Sequence, residues 1–289
     1  MSRAWYSLLP LLLLVTSSHG GSAALYQQWQ QSRHQQFTLP LHADYLAAIE
    51  QFDQLFQSHE LDDEQQQFWS RIGMLVQPWG DDHWLLMDDP ARPSGLGFYL
   101  ICKSCRDHLV LQAPHGDTDL NTARIALELW ALGGVAAVAI NTAPRQLADH
   151  EESSDLAQLQ GTLFNAFSEA VARQKQLSAV VQLHGFAQNR RRSRAAATAN
   201  IILSSGSRLG SPKVRQLQAC LAQQFAEVRS YPQQVSELGG TRNQQGILLR
   251  SLGFDGFIHL EMAYQLRQRL ISSARERERL HYCLSGIAP

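Results

Sequence analysis

Ala113-Pro114-His115-Gly116-Asp117-Thr118-Asp119-Leu120-Asn121-Thr122 separates two segments of different period. Ahead of it runs the apolar, β-prone stretch His108-Leu109-Val110-Leu111-Gln112. Behind it, Thr122 to Trp130 repeats its apolar residues at helical spacing. The quoted stretch is therefore a strand-to-helix turn that carries one His and two Asp. Open α/β sheets build their sites at the carboxyl ends of strands. Two further apolar runs end in the same kind of residue. One, over 178–183, leads onto His184-Gly185, and the other, starting at Gly256, delivers Glu261.

The same alternation extends over the rest of the chain. Strands are expected over 108–113, 135–140, 178–183, 199–204 and 256–261. Between and after them, helices are expected over 119–132, 155–176, 212–228, 243–252 and 264–283, the first closed by Gly133-Gly134. Strands that alternate with helices predict an α/β three-layer sandwich with a mostly parallel mixed sheet. Upstream, 25–75 is Gln-rich and helical in pattern, with Tyr45, Ile49, Phe52, Leu55 and Phe56 at helical spacing. The segment 76–107 is mixed, with one strand near Phe98 to Cys102. The expected organisation is a signal peptide over 1–24, a helical N-terminal region over 25–95 packed on the main domain, and that main domain over 96–289.

His115, Asp119 and His184 make three N/O donors, the number that a catalytic zinc takes while leaving a fourth position open. Asp119 competes with two other readings. It would equally cap the following helix, and Asp117 is the rival carboxylate. Glu261 sits in Phe257-Ile258-His259-Leu260-Glu261-Met262-Ala263, where alternation puts His259 and Glu261 on one face. A carboxylate in so apolar a strand needs a reason: a buried Arg partner, or work as the general base for metal-activated water. His259 reads as a packed core residue. Arg145 follows a strand and suits carboxylate binding or stabilisation of an oxyanion, or a surface pair with Asp149. Arg242 and Asn243 precede a helix and are the candidate substrate-binding residues. Arg190-Arg191-Arg192-Ser193-Arg194 is a short basic loop that reads either as solvated surface or, from its place near His184, as a capture site for an anionic substrate. It lacks the interleaved aromatics of a single-stranded nucleic-acid platform.

The strand followed by His115-Gly116, the acidic residue three before Thr122, the Leu183-His184-Gly185-Phe186 run and the Leu260-Glu261 strand resemble the zinc carboxypeptidase superfamily. Within it, the shape looks like the compact branch of bacterial and phage poly-γ-glutamate hydrolases and related amidohydrolases. The resemblance covers about 108–265. It implies a zinc-carboxypeptidase-like fold and a Zn2+ cofactor held by His115, Asp119 and His184. It also implies Glu261 as the base. The first motif departs from the H-x-x-E of typical carboxypeptidases. The activity implied is amide hydrolysis, and the substrate does not transfer with the resemblance. Export and the Arg cluster lead to the expectation of a carboxylate-rich substrate with peptide, isopeptide or γ-glutamyl bonds.

The formal charge is −1 and 44% of residues are apolar, a balance that favours a globular chain and gives no support for a nucleic-acid partner. Arg3, the apolar core Leu8 to Val15 and the small residues Ser22 and Ala24 read as a secretory signal, so the expected location is periplasmic or secreted. Export permits disulfides among the four Cys. Cys102 and Cys105 form a C-x-x-C, read either as part of one or two structural disulfides or as a thiol oxidoreductase site. A non-catalytic exported binding protein on the same scaffold is the other alternative function.

Overall fold

The computed structural model describes residues 21–146 and 154–287. The expected signal peptide up to residue 20, and Asp149, lie outside them. The elements follow in chain order as α1 (Ser22–Gln31), α2 (His42–Gln57), α3 (Asp63–Arg71), β1 (Met74–Trp79), β2 (His83–Asp88), β3 (Phe98–Cys102), β4 (Leu109–Ala113), α4 (Thr122–Trp130) and β5 (Val135–Ile140). There follow α5 (Leu163–Arg173), β6 (Ala179–Phe186), α6 (Arg194–Thr198), β7 (Ile201–Ser204), α7 (Pro212–Gln224), β8 (Val228–Ser230), α8 (Gln244–Ser251), β9 (Phe257–Ala263), α9 (Tyr264–Ser272) and α10 (Ala274–Ser285).

The nine strands form one mixed sheet in the order β1-β2-β3-β5-β4-β6-β9-β7-β8. Its centre, β5-β4-β6-β9, is parallel, and antiparallel pairs flank it on both sides. Every residue of β5 is buried, the pattern of a central parallel strand covered on both faces. One face packs Leu111, Val181 and Leu260 under α1, α4, α7, α9 and α10. The other packs Val110, Val180 and Phe257 under α2, α3, α5 and α8. These are the three layers. The connection from β4 through α4 leads to β5 on one side, and α5 returns the chain to β6 on the other. β4 is thus a topological switch point, where a crevice opens beyond the strand ends.

Several boundaries differ from the sequence-based expectations. The segment 74–88 forms the β1/β2 hairpin, which extends the sheet rather than continuing a helical cover. Pro78 lies in β1, at the sheet edge, where its missing N–H costs no ladder bond. α4 starts at Thr122 rather than 119, after Asn121 at φ 75°. α5 starts at Leu163 rather than 155, because Thr162 and Asn165 make a capping box there. The last expected helix is two, divided at Ser273, whose side chain accepts from the Glu276 N–H and caps α10. Cys220 and Cys283 form a disulfide between α7 and α10, while Cys102 and Cys105 are free thiols. α1 begins at Ser22, so a cut after Ala24 would fall in its first turn. Among the described residues no helix is long and apolar enough to cross a membrane.

Candidate active site

β6 and β9 run parallel, with His184 paired to Glu261 and Gln182 to His259, while Gln112 of β4 pairs with Gln182. Alternation places these five polar side chains on the face toward α5 and α8. All five are buried. His115 stands two residues beyond β4, and the Asp119 N–H donates to the His115 carbonyl at 2.8 Å, a single turn that brings the two side chains together.

Three atoms meet at the switch point. His115 Nδ1 lies 3.3 Å from Asp119 Oδ2 and 3.2 Å from His184 Nδ1, and His184 Nδ1 lies 3.5 Å from Asp119 Oδ2. The remaining ring nitrogens are engaged behind this triangle. His115 Nε2 is 2.8 Å from Asp155 Oδ1, and His184 Nε2 is 2.8 Å from Gln182 Oε1. Each outer partner is an acceptor, so each Nε2 carries a proton. Two Nδ1 atoms that face each other this closely share either a proton or a cation. Ligands at about 2.0–2.2 Å from a tetrahedral zinc stand roughly 3.3–3.6 Å apart, which matches the sides of the triangle. The donor set therefore fits a zinc ion. The Gly185 N–H also donates to Asp119 Oδ2 at 3.0 Å and fixes that carboxylate.

The Asp119 side chain does not cap α4, whose first turn has no side-chain cap at all. Asp117 turns away to Arg33. Glu261 is buried, with Oε2 unpartnered among the described residues and Oε1 3.9 Å from His259 Nε2. A carboxylate oxygen of Glu261 and a ring nitrogen of His184 lie within 4.8 Å of each other. Among the described residues no Arg or Lys pairs with Glu261. Arg267 is buried nearby, but it donates to the carbonyls of Met262 and Leu120. His259 stacks on His184 at 4.2 Å between ring centres.

Charge is balanced tightly here. Burial disfavours the charged His115 ring, yet its bonds to Asp119 and Asp155 prevail and raise its pKa to about 9. Burial works against Asp119 too, and its bonds to His115 and His184 still hold its carboxyl well below the usual range. Burial lowers His184 and His259. Burial first, and the charge of Asp119 second, push Glu261 up to about 8.

These groups line a cavity of about 630 Å3 that also takes in Arg145, Arg190, Arg191, Arg242 and Asn243. Arg145 Nε donates to Asp155 Oδ2 at 2.8 Å, so one carboxylate ties His115 to Arg145. Arg191 sits near Glu237, whereas Arg190 and Arg242 are exposed and have no ion pair among the described residues. Asn243 is buried, and its side chain is used internally. Its Oδ1 accepts from the Gly246 N–H at the start of α8, and its Nδ2 donates to Gln182. Asn243 therefore reaches the site through Gln182. Two participants were missing from the sequence reading. Asp155 lies in a loop with no local signal. Gln182 had one: an amide in an apolar strand two residues before His184, costly to bury without partners.

No protein-family model matches the chain, and a search of curated proteins returned no match. Among solved structures, a bacteriophage poly-gamma-glutamate hydrolase matches at 11% identity over 62% of this chain and 81% of its own, with a TM-score of 0.40. A succinylglutamate desuccinalase from Vibrio parahaemolyticus matches at 10% identity over 75% and 78%, with a TM-score of 0.41. An N-acetylmuramoyl-L-alanine amidase from Clostridium difficile matches at 11% identity over 63% and 94%, with a TM-score of 0.34.

Proposed function

We propose that the chain is an exported zinc-dependent hydrolase of peptide, isopeptide or γ-glutamyl amide bonds in a carboxylate-rich substrate. The observation that carries this reading is the triangle of His115 Nδ1, His184 Nδ1 and Asp119 Oδ2 beside the Glu261 carboxyl, whose Oε2 has no hydrogen-bond partner among the described residues. Zinc in that triangle would supply a Lewis acid for the scissile carbonyl and lower the pKa of water. Glu261 takes the proton from the attacking water and passes it to the leaving nitrogen. Positive charge in the triangle favours its ionised form. Arg145 is held through Nε by Asp155 and has no other side-chain bond among the described residues, and it offers its other donors to the developing oxyanion. Arg190 and Arg242, exposed and without ion pairs among the described residues, offer the substrate carboxylates charge-assisted bonds.

Metal content tests the reading. The protein purified without added zinc is expected to hold it stoichiometrically, and His115→Ala or His184→Ala is expected to abolish retention. Full occupancy in either variant removes that His from the site. A chain that holds no zinc and gains no thermal stability from added zinc would favour a non-catalytic binding protein on the same scaffold.

A further inference from the structure

The geometry points to Gln182 as the positioning residue that locks His184 in its Nε2–H tautomer and so aims the Nδ1 lone pair at the triangle. This rests on the zinc-site reading only for its consequence, because the hydrogen-bond directions stand without it. Gln182 is fully buried. Its Nε2 donates to Gln112 Oε1 at 3.0 Å and to Gln245 Oε1 at 3.2 Å. Its Oε1 accepts from Asn243 Nδ2 and faces His184 Nε2 at 2.8 Å. All four positions of the amide are therefore filled.

The direction of each bond is forced by backbone groups that have one role only. Gln245 Nε2 donates to the Leu156 carbonyl at 2.8 Å, so Gln245 turns its oxygen to Gln182. Ser168 donates its hydroxyl to the Phe164 carbonyl at 2.8 Å, so its oxygen accepts from Gln112 Nε2 at 2.9 Å. Gln112 thereby also turns its oxygen to Gln182. Asn243 Oδ1 accepts from the Gly246 N–H at 2.9 Å, so Asn243 turns its amino group to Gln182. Reversing Gln182 would set its oxygen against two oxygens and its amino group against that of Asn243. Its carbonyl must therefore face His184, and Nε2 of that ring must bear the proton. Two carbonyls and one N–H, from α5, α8 and the loop at residue 156, thus decide which nitrogen of His184 is free. Outer-sphere partners of this kind orient metal-binding His residues, and their loss typically costs about 10–100-fold in metal affinity.

The test uses 15N-labelled, metal-free protein, with the imidazole tautomers read from long-range 1H–15N correlations under conditions where His184 is neutral. The wild-type chain is expected to show His184 protonated at Nε2 and bare at Nδ1. Gln182→Met, close in shape and without an acceptor, is expected to lose that signature and to bind zinc about 10–100-fold more weakly in chelator competition. Gln182→Glu as the neutral acid restores an acceptor for His184 while its O–H donates to Gln112 or Gln245, and it is expected to bring the Nε2–H signature back. A lesion of packing alone would lower the melting temperature of both variants without moving the tautomer. A wild-type His184 protonated at Nδ1 overturns the inference whether or not the variants fold, and so does an unchanged tautomer in Gln182→Met. Wild-type protein that shows the Nε2–H signature but binds no zinc would refute the zinc reading and leave the hold of Gln182 on His184 in place.

Discussion

Glu261 has a buried carboxyl with one oxygen unpartnered and no cation within ion-pair reach among the described residues. Burial holds it protonated up to about pH 8. Gln is nearly isosteric with that neutral form, so Glu261→Gln is expected to keep the fold, the zinc and a melting temperature at or above that of the parent. It cannot accept the proton from water, and kcat is expected to fall on the order of 10²–10⁴-fold. Turnover measured beside zinc content and melting decides the matter: near-parental kcat in a zinc-loaded, folded variant would exclude Glu261 as the base. The two aspartates of the first turn separate in the same way. Asp119→Ala removes one corner of the triangle and is expected to weaken zinc binding strongly. Asp117→Ala breaks only the pair with the partly exposed Arg33 and is expected to leave zinc affinity unchanged. A zinc titration that gives the opposite order moves the ligand by two residues.

At the scale of elements, the site depends on how closely β6 and α9 approach. A Cβ added at Gly185 would lie 2.4 Å from the Arg267 carbon Cζ and 2.7 Å from its Nε. That guanidinium is buried and bonded to the Met262 and Leu120 carbonyls, so it has little room to yield. The Gly185 N–H also holds Asp119 Oδ2 at 3.0 Å. Gly185→Ala is expected to cost about 1–3 kcal/mol by overpacking and to weaken zinc binding by shifting Asp119. Denaturant melts and a zinc titration would show both effects, and an unchanged midpoint would mean that α9 moves away freely.

For the whole molecule, the buried charges set the pH range of stability in metal-free protein. His115 is raised from 6.5 to about 9, so its contribution is complete below about pH 6.5 and is lost as pH rises through about 9. Glu261 is raised from 4.5 to about 8, so it too favours the folded state at low pH and loses its contribution through about 8. Asp155 is lowered from 3.8 to about 2, so its contribution is present above 3.8 and lost as pH falls through about 2. Both raised groups act in the same direction on the alkaline side. The melting temperature in chelator is expected to decline between pH 6.5 and 9, less steeply in Glu261→Gln. A flat profile across that interval would contradict the ion-pair account of His115 and Asp155.

The sequence alone determined the strands of the parallel centre and the residues at their ends. β5 matches the expected 135–140 span because an all-apolar run bounded by Gly133-Gly134 and Asn141 reads the same locally and in the sheet. His115, His184 and Glu261 were legible because each ends such a run, and strand ends are where open sheets place chemistry. Tertiary structure decided what local periodicity does not encode: which strands are neighbours and in what register. Only the pairing of β4, β6 and β9 puts Gln112, Gln182 and His259 in one buried row. The β1/β2 hairpin straddles the boundary between the Gln-rich helical pattern and the mixed segment 76–107, and only the strand pairing defines it. Asp155 meets His115 from 40 residues away, a pairing that no local pattern encodes. The Cys220–Cys283 bridge required two helices to bring their Cα atoms to 5.6 Å, a distance fixed by packing and not by spacing along the chain.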